Sequence, residues 1–258
     1  MRRGFVHATV LAITLAVAPV AAHVAPSVDD NNRYLKVSPA ADRIRLAYTV
    51  FFGEVPGAQT RRTIDANRDG TISEAESERF ATGLAAEVAA SLEVEVDGRP
   101  YRVTWAVVAA GMGSARTTAG SFSVDLVAYF CLAEPRGPHR LRLRDRFRVP
   151  RPGETEVKLE DGPGIRLDRA RIGALPDVAG EFKFVGPGGP LAEDGLELTF
   201  TADAHAPVTR DAICTAPAPS RGLLRGLAIA AAAVLGCLLA VAVVVVGKRR
   251  RRRHSLRK

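Results

Sequence analysis

The chain has 258 residues, a formal net charge of +8 and a pI of about 9.9. Its two ends hold ten of the 36 Lys and Arg residues and none of the 28 Asp and Glu residues, so the stretch between them carries a net charge of −2. The high pI therefore belongs to the ends and is no argument for a nucleic-acid-binding domain in the middle, and no nucleic-acid partner is expected.

The first segment is MRRGFVHATVLAITLAVAPVAAHVAP. Arg2 and Arg3 precede a short apolar run, Val10 to Val17, and Val20 to Ala22 put small residues where a signal peptidase needs them. Residues 1–22 read as a secretory signal cleaved after Ala22. The run is too short, and too broken by Pro19, to cross a bilayer well; an uncleaved anchor is the alternative.

Residues 23–205 suffice for one domain with its own core. VDDNNRY, Val28 to Tyr34, reads as an acidic surface lead-in. RIRLAYTVFF, Arg43 to Phe52, is rich in alternating and β-branched positions and predicts a strand. The next stretch, VPGAQTRRTI, contains Pro56 and Gly57 and predicts at best a poor helix.

The segment DANRDGTISEAE, Asp65 to Glu76, follows. It sets oxygen-bearing side chains at its first, third, fifth, ninth and twelfth places, with Gly70 sixth and the apolar Ile72 eighth. Asp65, Asn67, Asp69, the Thr71 carbonyl, Ser73 and Glu76 occupy the places from which a loop of this kind ligates Ca²⁺. Hard oxygen donors on a flexible loop suit Ca²⁺ better than a softer metal. An Asx-rich turn with Ser73 as helix cap would explain Ser73 and the early glutamates. It would explain neither the triple Asp65, Asn67, Asp69 nor Gly70.

SEAESERFATGLAAEVAASL, Ser73 to Leu92, predicts a helix with Phe80, Leu84 and Val88 on one apolar face. LEVEVDGRPYRVTW, Leu92 to Trp105, predicts a hairpin, because Asp97-Gly98 suits a tight turn of positive φ. SFSVDLVAYFCL, HRLRLRDRFRV, TEVKLED, GIRLDRARIG, EFKFV and LELTFTAD are further strands, parted by PRPGE, DGPG and GPGGP turns. The expected fold is mainly β: an antiparallel Ig-like sandwich with the loop and helix (56–91) inserted.

Residues 206–225 read as a juxtamembrane linker. Gly226 to Gly247 is an uncharged run of 22 residues, long enough for one transmembrane helix, and the basic tail 248–258 predicts a cytoplasmic end. The protein is thus expected in the cell membrane as a single-pass chain, its main domain outside the cytoplasm, in the periplasm or at the cell surface. Ala232, Gly236 and Ala240 have the small-xxx-small spacing that permits helix pairing, which leaves dimerisation open. Cys237 is an apolar filler within the span. Cys131 and Cys214 lie where disulfides persist and are expected to pair, tying the last segment to the body of the domain.

Three resemblances add to this reading. Residues 65–76 look like an EF-hand loop. Its single copy and the absence of a Met-rich groove imply a structural site rather than a sensor, with affinity on the order of 10⁻⁴ M or weaker. The run from His23 to Trp105 resembles the extracytoplasmic domain that precedes the permease in some bacterial nickel/cobalt efflux transporters. Shared features are Ala22-His23, NRY, DRIRLAYTVFFGEVP, the D-x-N-x-D-G stretch before an acidic helix, and VDGRP. That resemblance implies an accessory to transition-metal (Ni, Co or Cu) handling beside a metal permease, with His23 as a terminal ligand. No multi-span stretch follows, so transport itself is not implied. Finally, Cys214, the apolar run and the arginine cluster look like a tripartite C-terminal sorting signal.

No nucleophile–base grouping and no P-loop, H-E-x-x-H, C-x-x-C or G-x-S-x-G pattern occurs, so an enzyme is not expected. His139 and His205, without a partner at ligand spacing, are expected to be solvated. The leading expectation is a membrane-anchored Ca²⁺-binding β domain serving as a binding or interaction module, with an unidentified protein partner.

Overall fold

The computed structural model describes residues 29–175, 180–185, 189–209, 211 and 213–214. The expectations for the signal, His23, most of the linker, the apolar run with Cys237 and its small-residue spacing, and the tail lie outside these residues. Among the described residues, no helix is long and apolar enough to cross a membrane.

Two β-sheets make the domain. The six-stranded sheet contains β1 (Asn31–Pro39), β2 (Arg43–Phe52), β5 (Trp105–Gly111), β6 (Phe122–Cys131), β8 (Pro152–Leu159) and β10 (Glu181–Val185), in the order β10-β8-β1-β2-β6-β5. The five-stranded sheet contains β3 (Leu92–Val96), β4 (Arg99–Tyr101), β7 (Gly137–Asp145), β9 (Ile165–Ile172) and β11 (Leu196–Ala202), in the order β4-β3-β7-β11-β9. Helices α1 (Glu54–Ile64) and α2 (Glu74–Ser91) are inserted between β2 and β3, and the short α3 (Gly189–Glu193) precedes β11.

Alternation builds the core. Ile44, Leu46, Tyr48 and Val50 of β2 face inward beside Val124, Leu126, Ala128 and Phe130 of β6. Leu141 and Leu143 of β7 and Leu196, Leu198 and Phe200 of β11 complete the same buried cluster. Their outward neighbours are half-exposed or polar, as a strand with one covered face requires.

The antiparallel expectation needs one correction: β1 and β8 run parallel, Arg33 opposite Thr155 and Val37 opposite Leu159. The chain crosses between sheets after β7, so no hairpin fixes the direction of β8 against β1.

A second correction concerns the expected surface lead-in. Asn31, Asn32 and Arg33 are buried and open β1. Burial of such groups requires partners, and these come from far along the chain. Asn31 Nδ2 donates to the Pro150 carbonyl at 2.6 Å, and Asn32 Oδ1 accepts from the Glu154 N–H at 2.7 Å. Arg33, 1% exposed, donates to Asp145 at 2.9 Å, to the Phe147 carbonyl at 2.8 Å and to Thr155 Oγ1 at 3.0 Å. Tyr48 also donates to Asp145, at 2.8 Å, so residues of both sheets meet on one carboxylate. Burial pushes the Tyr48 hydroxyl well up. It pushes the Asp145 carboxyl up too, against the opposing charge of Arg33.

The Asp97-Gly98 turn has φ of 50° and 77°, the doubly positive pair of a tight hairpin. Its return strand is only Arg99–Tyr101, and at Trp105 the chain has joined the other sheet as β5. Cys131, at the end of β6, is joined to Cys214 by a disulfide with Cα atoms 5.3 Å apart. Arg43 holds the same segment through Asp211 at 2.7 Å and the Thr209 carbonyl at 2.6 Å.

Candidate metal centre

The segment entering the loop is a helix of 11 residues, which corrects the expectation of a poor one. Pro56 stands in its first turn, where a backbone N–H has no intrahelical acceptor, so the missing donor costs nothing. Gly57 is required by close approach: a Cβ there would stand 2.7 Å from the Gly120 carbonyl oxygen.

Arg61 of α1 turns inward. It is 0% exposed. Its Nε donates to the Gly120 carbonyl at 3.0 Å, and Nη1 donates to the carbonyls of Ser114 at 2.7 Å and Arg116 at 3.5 Å. Nη2 donates to Met112 and Ser121. The guanidinium lies over the Phe122 ring, 5.1 Å from its centroid. Burial lowers its pKa, yet an arginine keeps its charge. One side chain thus organises the connection between β5 and β6.

The loop is framed by its own carboxylates. Asp65, 7% exposed, accepts from the N–H groups of Asp69 at 3.2 Å and Gly70 at 2.9 Å. Gly70 has φ of 84°, the left-handed turn expected at the sixth place. Asn67 Oδ1 accepts from the Asp69 N–H at 3.0 Å, and Asp69 Oδ1 accepts from the Thr71 N–H at 2.8 Å. Glu76 reaches back across the loop. Its Oε1 accepts from the Ala66 N–H at 2.9 Å, and its Oε2 accepts from the Ser73 N–H at 2.9 Å and the Ser73 hydroxyl at 2.8 Å. Ser73 Oγ in turn accepts from the Glu76 N–H at 3.3 Å, closing a capping box at the start of α2. The Ser73 N–H, then its hydroxyl, hold Glu76 down to a pKa of about 2.

The loop is also paired. Thr71 bridges Arg116, the Ile72 N–H donates to the Ala115 carbonyl at 2.7 Å, and the Thr117 N–H donates to the Gly70 carbonyl at 3.2 Å. Residues 112–121 therefore fasten both α1, through Arg61, and the loop, through its seventh and eighth places. Nothing in the local spacing marks Arg61 for this work. The length of the turn-rich stretch after β5 is the one visible sign that it has a task.

Helix α2 packs by Ala81, Ala85 and Val88, with Phe80 and Leu84 half-buried beside them. This rotates the expected Phe80, Leu84, Val88 face toward its alanines. The small side chains let the helix sit close on β5, where Trp105 Nε1 donates to the Ala85 carbonyl at 2.8 Å. Phe80 meets Phe52 and Phe122 with ring centroids 5.8 and 5.9 Å away.

Among the described residues, no three or more His, Cys, Asp or Glu side chains gather closely enough to hold a metal ion as they stand. Asp65, Asp69 and Glu76 are turned onto the N–H groups of the loop instead. The donor set is nonetheless all oxygen with three carboxylates, which fits a hard divalent cation. Of the other candidates, His205 is exposed. His139 is not, contrary to expectation: it is buried, with Nδ1 2.9 Å from Asp97 Oδ2 and Nε2 3.0 Å from the Arg136 carbonyl. It joins the 97–98 turn to β7 with both nitrogens engaged.

No protein-family model matches the chain, and no curated protein matches it significantly.

Proposed function

We propose that this chain is a membrane-anchored, extracytoplasmic Ca²⁺-binding module without catalytic activity, built on an Ig-like sandwich. Asp65, Asn67, Asp69, the Thr71 carbonyl, Ser73 and Glu76 would hold the ion. Bound there, Ca²⁺ supplies charge neutralisation for three carboxylates at the start of α2.

The observation that carries this reading is the loop frame. Gly70 takes the left-handed conformation at the sixth place, Asp65 and Glu76 clamp the two ends, and residues 112–121 pin the middle. A loop so fastened cannot open widely, which favours a structural clasp over a switch. The signal-like start, the apolar run 226–247 with its basic stop, and the Cys131–Cys214 disulfide all accord with an oxidising exterior.

Calorimetric titration of the full chain in detergent with Ca²⁺ is the test. Binding is expected, and it should vanish in the double variant Asp65→Ala, Glu76→Ala. Heat of binding and Ca²⁺-dependent Tm left intact by that change would end the reading.

A further inference from the structure

The outward face of the five-stranded sheet carries a surplus of arginine. Arg140, Arg142 and Arg144 alternate along β7, and Arg166, Arg169 and Arg171 lie on β9, with β11 between the two strands. Their carboxylate partners are few. Glu197 alone receives Arg140 at 3.3 Å, Arg142 at 3.0 Å and Arg171 at 3.1 Å. Glu93 receives both Arg144 at 3.4 Å and Arg146 at 2.9 Å. Five guanidinium groups thus share two carboxylates and stay open to solvent, their side chains 37% to 57% exposed. Glu95 and Asp168, with Glu193 and Asp194 beside Arg144 and Arg171, offset much of the surplus and leave the end of the face around Arg140, Arg166 and Arg169 cationic. The other sheet shows the reverse balance on β8 and β10, where Lys183 faces Glu154, Glu156 and Glu181 at 4.0, 3.3 and 2.9 Å.

We infer that this arginine face docks on the anionic headgroups of the bilayer in which the chain is anchored. The inference rests on the anchored reading above. Charge complementarity selects the surface: arginines spaced about 7 Å apart along a strand and about 10 Å apart between β7 and β9 form a cationic grid. The tether permits the pose. Cys214 is fixed to β6 by its disulfide, and residues 215–225 then lead to the apolar run. Eleven residues reach at most about 40 Å, whereas β7 is about 30 Å long. The domain can therefore lie on this sheet without straining its linker. Because the tether keeps the face near the headgroups, a surface too weak to bind free vesicles suffices.

The test uses the full chain in nanodiscs of phosphatidylcholine alone, or of phosphatidylcholine and phosphatidylglycerol in equal parts. In a Cys237→Ala background, one fluorophore is placed at Thr199→Cys, between Arg140 and Arg169, and a control fluorophore at Ala109→Cys on β5. Lipids with nitroxide headgroups report proximity. Quenching at position 199, but not 109, is expected in the anionic discs, with loss in neutral discs and at high salt. The double variant Arg140→Gln, Arg169→Gln should lose the quenching while its melting curve is unchanged. Equal quenching at 199 in both lipids, quenching insensitive to salt, or no quenching in either overturns the inference alone. A chain that enters neither disc overturns the anchored reading and this inference with it.

Discussion

The backbone N–H of Ile72 donates to the Ala115 carbonyl at 2.7 Å, so the eighth place of the loop is pinned to the connection between β5 and β6. The partner segment comes from the same chain, so the pin needs no second loop. Native-state hydrogen exchange should therefore find the Ile72 and Thr117 amides protected together, even with chelator present. Exchange at the rate of an open loop would show that the pin does not hold in solution.

Arg61 is expected to be the costliest single loss in the inserted unit. Arg61→Met keeps much of the volume and removes every bond the guanidinium donates to the carbonyls of Met112, Ser114, Arg116, Gly120 and Ser121. Leaving several of these unpaired should cost about 3 kcal/mol or more. Arg61→Lys should recover only part of it, because an ammonium cannot span carbonyls arranged around a planar fork. Urea denaturation measures both, and a loss below about 1 kcal/mol for Met would contradict the role.

Glu76 sets an acid limit in the metal-free protein. Its folded pKa is depressed from the ordinary 4.5 to about 2 by the Ser73 N–H and hydroxyl. A depressed carboxyl stabilises the fold above its ordinary value, and that contribution disappears as pH falls through the folded value. The cap of α2 should then hold at pH 5 and weaken between about pH 4 and pH 2. The Glu76 side-chain carbon shift, followed by NMR, should titrate near the low end. A midpoint at the ordinary value would mean that the capping box is open.

Reducing the Cys131–Cys214 disulfide, which spans 83 residues, should lower stability by about 4 kcal/mol in the chain-entropy account. The double variant Cys131→Ser, Cys214→Ser should behave alike. Arg43 still grips Asp211 and the Thr209 carbonyl. Release of residues 209–214 should therefore be incomplete until Arg43→Ala is added, and limited proteolysis would show the difference.

The readable parts of the sequence were those with short-range causes. β2 and β6 declare themselves by alternation, Asp97-Gly98 by its demand for positive φ, and α2 by its composition and its Ser73 cap. The polar start of β1 does not. Asn31, Asn32 and Arg33 are tolerated inside largely because Pro150, Glu154, Asp145 and Thr155 arrive more than a hundred residues later. Arg61 is opaque for the same reason, since its acceptors lie on backbone 51 to 60 residues away. The turn at Gly70 and the Ser73 cap were legible within the stretch from Asp65 to Glu76. Its fastening to residues 112–121 was not, because backbone carbonyls leave no trace in residue types.

The exit of the chain has a mechanical consequence. The described chain does not leave from β11, its last strand, but from Cys214, bonded to the end of β6. β6 lies between β2 and β5, and it is paired with β2 along its whole length, from Arg43 opposite Cys131 to Phe52 opposite Phe122. A pull from beyond Cys214 is thus delivered to an interior strand in shear, where many rungs must yield at once, while β11 is spared from being peeled off rung by rung. Cutting that one covalent link would reroute the load onto the weaker path.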